Sequence, residues 1–203
     1  INLFLLILIP FPLHKVYKRK LLNFIISKLA KSTIYLGFHV NKKIINIEKL
    51  NFEKPSIIIA NHSSFLDILL MIMLSPKVII MVKKWVYNSP IFGFFIRYSG
   101  YLFIPEGADY NIDKIHSKIK DGYSIVIFPE GSRSFDGNIQ RFHKGAFYLA
   151  QQLKLDIQPI LIVGANYVNK KNDFIIKSGE LILFVLDRIT PNHDSFKKRF
   201  GCN

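Results

Sequence analysis

The sequence contains very little cysteine and few acidic residues. Its single cysteine, Cys202, cannot form an internal disulfide, so the fold needs neither an oxidising compartment nor a zinc site built from cysteines. Asp and Glu together number 14 against 28 Lys and Arg, which gives a formal net charge of +14. Such a basic chain favours anionic partners: lipid headgroups, nucleic acid or phosphorylated small molecules.

Several common catalytic signatures are also missing. No serine stands in a nucleophile-elbow pattern, and no glycine-rich phosphate loop ends in Lys-Ser or Lys-Thr. Four histidines show no metal-ligand spacing, namely His14, His39, His116 and His193. The sequence therefore indicates no metal site, and we expect no cofactor.

Apolar residues, in contrast, are abundant. Half of the 203 residues are apolar, 18 of them are Phe, and the mean hydropathy is +0.23. Intrinsic disorder is excluded by this composition, and the length fits one domain. The chain is more apolar than an ordinary enzyme fully surrounded by water, which favours association with a membrane surface.

Positive charge is concentrated in the first quarter of the chain. No acidic residue precedes Glu48, whereas eight basic residues do. These are Lys15, Lys18, Arg19, Lys20, Lys28, Lys31, Lys42 and Lys43. Residues 13–36 lack Gly and Pro and are long enough for a helix, although lysines interrupt its apolar positions. Because lysine stems can reach from an apolar surface to phosphate headgroups, we predict a basic membrane-interface helix; a helix packed on its own domain is the alternative.

After Pro55 the sequence predicts an α/β fold. Short β-branched runs predict strands at 56–60, 78–82, 101–104, 124–128, 157–163 and 181–186. Stretches of helical length lie between them at 65–74, 91–98, 110–120 and 144–153. This alternation indicates a mixed, largely buried sheet flanked by helices. We assign residues 1–50 to a membrane-associating segment and residues 51–203 to the main domain.

A first reactive cluster follows the first predicted strand, at residues 61–67. In one regular helix His62 and Asp67 would point about 140° apart, so a hydrogen bond between them requires the helix to begin between them. Ser64 is a suitable N-cap, with Asp67 at the third helical position and the helix beginning at Phe65. An imidazole oriented by a carboxylate can act as a general base. Alternatively, Asp67 only completes a capping box.

A second cluster, residues 128–134, follows another predicted strand. Gly131 allows the backbone to approach a ligand closely, and the Arg133 guanidinium can bind a phosphate through two hydrogen bonds. Arg141, His143 and Lys144 follow as a basic group. The pattern indicates an anion site, and a tight surface turn with solvated charges is the alternative.

In combination, the two clusters resemble the glycerolipid acyltransferase family, typified by bacterial 1-acyl-sn-glycerol-3-phosphate acyltransferase. The first cluster reads Asn, His, four further residues and Asp, and the second reads Phe-Pro-Glu-Gly-Ser-Arg-Ser. Phe-His-Lys-Gly-Ala at 142–146 and Pro-Ile at 159–160 extend the resemblance, which covers residues 56–162. The order and separation of the motifs make it specific.

The resemblance implies an O-acyltransferase of phospholipid biosynthesis. His62 would deprotonate an acceptor hydroxyl, Asp67 would orient His62, and the hydroxyl would attack the thioester of acyl-CoA or acyl-carrier protein. The implied partners are membrane phospholipids, this acyl donor and a lysophospholipid-type acceptor, with no nucleic acid, metal or cofactor. The implied location is the cytoplasmic face of the inner membrane.

The same resemblance implies that acceptor-binding residues lie in the second cluster. They are Glu130, Gly131, Ser132 and Arg133, with Arg133 as the phosphate partner.

The sequence departs from the family pattern at one position. The family carries Gly-x-x-Phe-Ile, then an acidic or small residue, then Arg; here residues 100–104 are followed by Pro105 and Glu106. A carboxylate would repel a phosphate. Lysophosphatidate is therefore the family default, and a different acceptor such as an aminolipid precursor is the alternative. Other cations could replace the missing arginine, namely Arg97, Arg141 and Lys144.

A remote alternative is a non-catalytic basic protein that binds membranes or nucleic acid. Against it, the N-terminal charges are interspersed with apolar residues, and the interleaved aromatic and basic residues of nucleic-acid sites are not evident. It would also leave both motifs unexplained.

Overall fold

The computed structural model describes residues 15–36, 40–90, 92–104, 111–173 and 175–191. The strands in this part of the chain are β1 Val40–Ile45, β2 Ile57–Ala60, β3 Val78–Lys83, β4 Leu102–Ile104, β5 Ser124–Ile127, β6 Ile157–Val163 and β7 Gly179–Val185. The helices are α1 Lys15–Leu36, α2 Leu66–Leu74, α3 Lys84–Tyr87, α4 Phe92–Ser99, α5 Ile112–Lys120, α6 Gly145–Leu153 and α7 Ala165–Val168. A short 3₁₀ helix spans Ile47–Lys49.

The strands form one mixed sheet in the order β1-β7-β6-β2-β5-β3-β4. Strands β6, β2, β5, β3 and β4 run parallel to one another, whereas β7 is antiparallel to β6 and pairs in parallel with β1. The five parallel strands therefore end at one edge of the sheet, the carboxyl edge, and begin at the opposite edge, the amino edge. In open α/β sheets, ligands bind at the carboxyl edge.

The predicted fold class is confirmed, and each predicted strand and helix overlaps an observed one. Strands β2, β3 and β5 are buried on both faces, as continuous apolar runs require. Ile57, Ile79 and Ile125, which pair with one another across these strands, are fully buried. Helix α4 begins at Phe92 and α5 at Ile112, each within two residues of its predicted start.

Strand β1 was not predicted. It contains Asn41, Lys42 and Lys43, and most of its side chains are partly or fully exposed because it is the edge strand and pairs only with β7. A strand with so many polar residues lacks the apolar run by which strands are predicted from sequence. Residues 40–45 are thus part of the sheet, although the sequence analysis assigned residues 1–50 to a separate membrane-associating segment.

Helix α1 packs against α2 and α4. Its buried face recurs every three or four residues and consists of Leu22, Asn23, Ser27, Ala30 and Ile34. Because three of these five residues are small or polar, hydrophobicity alone did not show the face.

The other faces of α1 expose several large apolar side chains. These are Val16, Tyr17, Leu21, Phe24, Leu29, Tyr35 and Leu36. Helix α1 therefore packs on the domain through one face and exposes apolar side chains on its other faces. No helix in the described ranges combines the length and the apolar character needed to cross a bilayer.

The side chain of Asn61 continues the sheet beyond the end of β2. Its Nδ2 donates to the Ile162 carbonyl oxygen at 2.9 Å, and its Oδ1 accepts from the Ile162 N–H at 2.7 Å. Asn61 and Ile162 are both buried. The amide thus replaces a main-chain peptide in the pairing of β2 with β6 and holds the following loop against the sheet.

We expect Asn61→Ala to lower the free energy of unfolding by about 2 kcal/mol or more, because it leaves a buried N–H and a buried C=O of Ile162 without partners. Denaturant unfolding followed by circular dichroism measures this change. Asn88→Ala removes the same amide from an exposed position and should alter stability by no more than about 0.5 kcal/mol. Equal stabilities of the two variants would contradict the role of Asn61.

Candidate active site

Two adjacent loops form the candidate site at the carboxyl edge. Strand β2 leads into residues 61–65, and β5 leads into residues 128–144. Because β2 and β5 are neighbouring parallel strands, both loops leave the sheet at the same edge. The topology therefore brings together the two clusters predicted from sequence.

His62 and Asp67 form the predicted pair. His62 Nδ1 lies 3.0 Å from Asp67 Oδ2, the Asp67 side chain is fully buried, and the His62 side chain is 13% exposed. Helix α2 begins at Leu66, so the chain turns between the two residues as the spacing required.

The details of the helix start differ from the prediction. The helix begins at Leu66 instead of Phe65, and the residue flanking it is Phe65 instead of Ser64. Phe65 already has helical φ and ψ angles, −64° and −29°, but its side chain makes no capping hydrogen bond. Ser64 still contributes, because its Oγ accepts from the Leu66 N–H at 3.2 Å.

The same Asp67 oxygen also caps the helix. Oδ2 accepts from the Ser63 N–H at 2.7 Å and from the Ser64 N–H at 2.8 Å, in addition to facing His62. The His-Asp pair is therefore present together with one half of a capping box, the bond from the Ser64 N–H to the Asp67 carboxylate, although the sequence offered the pair and the box as alternatives. The hydrogen bonds from the Ser63 and Ser64 N–H groups hold the carboxylate in place, and the carboxylate in turn orients the imidazole.

The orientation of the His62 ring is set on two sides. The ring stacks on Phe128 with a centroid distance of 4.2 Å and an interplanar angle of 21°. Because an ionised carboxylate only accepts hydrogen bonds, Asp67 favours the tautomer with the proton on Nδ1. Nε2 is then the basic nitrogen of the neutral ring.

Glu130 joins the two loops. Its side chain is buried, Oε1 accepts from the His62 N–H at 2.7 Å, and Oε2 accepts from the Gln140 N–H at 2.9 Å. A third contact is the Ser134 N–H, which donates to the His62 carbonyl oxygen at 2.9 Å. The main chain around His62 is thus held directly by the second cluster.

Gly131 completes a tight turn in which its N–H donates to the Phe128 carbonyl oxygen at 3.0 Å. Its φ of +70° suits glycine. A Cβ at this position would lie 3.3 Å from Cδ2 of His143, whose N–H donates to the Pro129 carbonyl oxygen at 2.8 Å. The close neighbour of Gly131 is therefore His143, a member of the basic group for which the sequence predicted an anion site.

Arg133 lies in the same loop with its side chain partly exposed, next to the exposed Ser132. Within the described residues, its guanidinium has no hydrogen-bond partner, so it is available to an anion. A second cation, Lys171, was not predicted from sequence. Its Nζ donates to the Arg133 carbonyl oxygen at 2.8 Å and lies 3.5 Å from the centroid of the Phe135 ring. Lys171 stands 38 residues away in sequence, outside either motif, so only the fold identifies it.

The three cations proposed to replace a missing arginine differ in position. Arg141 and Lys144 are both exposed in the loop that carries Glu130. Arg97 lies on α4, where its Nη1 donates to the Tyr87 carbonyl oxygen at 3.1 Å. Glu106 lies outside the described residues. Among the described residues, no group of His, Cys, Asp and Glu side chains forms a metal-binding cluster.

Comparison with known proteins identifies the family. A sequence model of the acyltransferase family matches residues 41–163. A chloroplast 1-acyl-sn-glycerol-3-phosphate acyltransferase of Arabidopsis thaliana is 30% identical over 157 residues, which cover 75% of this chain and 44% of that protein. The Saccharomyces cerevisiae protein of the same name is 29% identical over 184 residues, covering 87% of this chain and 60% of that protein.

A solved structure has the same fold. The crystal structure of the 1-acyl-sn-glycerophosphate acyltransferase PlsC from Thermotoga maritima superposes with a TM-score of 0.79 at 21% identity, covering 98% of this chain and 82% of that chain. The chain spans about half the length of the curated relatives that it matches. Since the family match extends from β1 to the end of β6 and includes both motifs, this chain belongs to the acyltransferase family.

Proposed function

We propose that this chain transfers a fatty acyl group from a thioester to a hydroxyl of a lysophospholipid-type acceptor, in phospholipid biosynthesis. The observation that carries the proposal is the contact between His62 and the buried Asp67 at the carboxyl edge. Family membership and the names of the relatives support the same reaction class. Lysophosphatidate is the acceptor that those names indicate.

In the proposed first step, His62 Nε2 accepts the proton of the acceptor hydroxyl while the oxygen attacks the thioester carbonyl carbon. Asp67 stabilises the imidazolium that forms, since its Oδ2 lies 3.0 Å from Nδ1. In the second step the tetrahedral intermediate expels the thiolate, which takes the proton from His62. An ester and a free thiol result, and neither step involves a change of oxidation state.

The tetrahedral intermediate needs hydrogen-bond donors for its oxyanion. The N–H groups of His62, Ser63 and Ser64 are already bonded to the carboxylates of Glu130 and Asp67. The main-chain N–H groups of Ser132 and Arg133 have no acceptor among the described residues. We therefore assign the oxyanion to this part of the loop.

The described cations nearest the second motif suit an acceptor that carries phosphate. The Arg133 guanidinium has a free donor face, and Lys171 places a second positive charge beside the Arg133 main chain. Glu130 has a different role in this proposal, because both of its oxygens are bonded to main-chain N–H groups. It positions His62 rather than contacting the acceptor.

The carboxyl edge also suits a lipid substrate. The segments that follow β2, β3 and β5 expose large apolar side chains at this edge, and β4 exposes another. They are Phe65, Trp85, Phe103, Phe135, Ile139 and Phe142. Exposed apolar groups beside a reactive pair can contact an acyl chain or the surface of a bilayer.

We propose that the protein works at the cytoplasmic face of the inner membrane. Exposed apolar side chains and lysines occur together on α1, for example Phe24 and Lys28, whose ammonium lies 5.3 Å from the Phe24 ring centroid. This combination suits anionic headgroups. The acyl donor is acyl-CoA or acyl-carrier protein.

The product identifies the reaction directly. Purified protein supplied with acyl-CoA and lysophosphatidate should release CoA thiol and form phosphatidate, detected by mass spectrometry. Thiol release with a neutral or amine-bearing lysolipid, but not with lysophosphatidate, would favour the alternative acceptor that Glu106 suggests. No thiol release with any lysolipid or with either donor would contradict the proposal.

We expect His62→Ala to lower kcat by about 10²–10⁴-fold or more, because the general base is lost. The melting temperature should stay close to that of the wild type, since the side chain is partly exposed and lies on a loop. His116→Ala changes an exposed histidine on α5 and should leave kcat unchanged. A wild-type rate for His62→Ala would remove this residue from the mechanism.

Glu130→Gln should lower both stability and kcat. The new amide turns an NH₂ group toward a main-chain donor, which we expect to cost about 1–3 kcal/mol of unfolding free energy. If Glu130 only positions His62, kcat falls while the KM of the acceptor stays nearly constant. A large rise in acceptor KM would instead show direct contact with the substrate. Glu48→Gln, at an exposed site, is the matched control.

Arg133→Ala should raise the KM of a phosphate-bearing acceptor by about tenfold or more, because a charge-assisted hydrogen bond is lost. The KM of the acyl donor should change little. Lys120→Ala removes an exposed charge next to the amino edge and serves as the control. An unchanged acceptor KM would separate Arg133 from acceptor binding.

A further inference from the structure

Two cations from separate helices meet at the amino edge of the sheet, away from the candidate active site. Arg19 lies on α1 and Lys118 on α5. A Cβ built on Gly100, just before β4, would lie 2.7 Å from Arg19 Nε and 2.9 Å from Lys118 Nζ. Both positive groups therefore converge on the backbone of one glycine, whose φ of +74° also disfavours a side chain.

The polar groups at this junction are buried and lack partners. The Lys118 side chain is almost fully buried, with its residue 5% exposed. Arg19 Nε, Ser99 Oγ and Asn23 Oδ1 are buried without a hydrogen-bond partner among the described residues. A buried N–H group of a cation without an acceptor is costly, and native structures rarely contain one.

The charges around Lys118 do not balance it. Arg19 faces it from α1, Lys114 lies on the same helix, and Asp121, just beyond that helix, is the opposing charge that acts on it from the described part of the chain. Burial, then Arg19, lower the pKa of Lys118 to about 8, while Asp121 acts in the opposite direction. At pH 7 Lys118 is therefore still mainly protonated. Within the described residues, neither Lys118 nor Arg19 has a carboxylate at ion-pair distance.

The aromatic neighbours do not supply a negative charge either. The centroid of the Tyr123 ring lies 5.8 Å from Lys118 Nζ. The Tyr123 hydroxyl oxygen accepts a hydrogen bond from Asn23 Nδ2 at 3.4 Å. Burial raises the pKa of Tyr101, so this phenol stays neutral. Two cations and buried polar atoms without partners thus lie together beside Gly100.

We propose that this junction of α1, α4 and α5 binds a phosphate group, held by Arg19 Nε and Lys118 Nζ beside Gly100. A phosphate oxygen can accept from both cations at once, which relieves their repulsion and pairs the buried guanidinium donor. Water around the anion can donate to Asn23 Oδ1. Inorganic phosphate and the headgroup of an anionic lipid both present this chemistry.

The site is distinct from the proposed acceptor site. Tyr123 directly precedes β5, whereas Glu130 follows it, and the four residues of Ser124–Ile127 separate the two ends. At about 3.3 Å per residue this strand alone spans about 13 Å. A phosphate bound at the amino edge would also join α1 to α4 and α5, so it would stabilise the attachment of the N-terminal helix.

Thermal unfolding in sodium phosphate and in sodium chloride of equal ionic strength tests the proposal. Phosphate should raise the melting temperature of the wild type, and also of Arg133→Ala, in which the proposed acceptor site is removed. Lys118→Met should abolish this rise. In sodium chloride its melting temperature should equal or exceed that of the wild type, because the substitution removes a buried like-charge repulsion.

Lys120→Met is the matched control, since it removes the same charge from an exposed position on the same helix. It should retain the full phosphate effect. An equal rise for Lys118→Met and Lys120→Met, or no rise for the wild type, would overturn the proposal. If Lys118→Met does not fold, Arg19→Gln gives the second test. Calorimetry should then show that this variant binds phosphate about tenfold more weakly than the wild type, or weaker still. An unchanged phosphate affinity would contradict the proposal.

Vesicle binding distinguishes the two sources of phosphate. Flotation with phosphatidylcholine vesicles, with and without phosphatidylglycerol, compares Lys118→Met with Lys120→Met. If a lipid headgroup occupies the site, Lys118→Met binds the anionic vesicles more weakly than Lys120→Met. If free phosphate occupies it, both variants bind vesicles equally and Lys118→Met loses only the phosphate-dependent rise in melting temperature.

Discussion

The candidate site depends on one buried carboxylate oxygen. Asp67 Oδ2 accepts the N–H groups of Ser63 and Ser64 and faces His62 Nδ1. In a position without solvent exposure, these contacts replace the water that Oδ2 would otherwise bind, whereas Oδ1 is buried without a hydrogen-bond partner among the described residues. The same oxygen therefore begins helix α2, turns the chain back toward the sheet and orients the imidazole, so the local fold and the proposed chemistry cannot be separated at this residue.

Glu130 has the corresponding role between the two loops. Its two oxygens bind the N–H groups of His62 and Gln140, so one motif holds the main chain of the other. The parallel pairing of β2 and β5 makes this possible, because it brings both loops to the same edge of the sheet. Asn61 adds a further constraint through the main chain of Ile162. Residues of the motifs thus maintain the geometry as well as take part in the proposed reaction.

The two edges of the sheet present different chemistry. The carboxyl edge combines the His62 and Asp67 pair with exposed apolar side chains, which suits an acyl substrate. The amino edge brings Arg19 and Lys118 together, and Asp121, the described carboxylate that acts on Lys118, forms no ion pair with either. Positive charge lies at both ends of the strands, with Arg133 and Lys171 at the carboxyl edge and Arg19 and Lys118 at the amino edge. The high positive charge of the chain is therefore divided between distinct local environments.

The sequence by itself determined the α/β class and the central buried strands, because continuous apolar runs are local signals. It allowed the pairing of His62 with Asp67 beside a capping role of Asp67 alone, and the tertiary structure shows the pair. Strand β1, the buried face of α1 and the contact of Lys171 with Arg133 were decided only by the tertiary structure. Each of these depends on which distant segment packs against a polar or small residue. Strand order and helix packing determine which segments come into contact, and no local pattern of residue types encodes them.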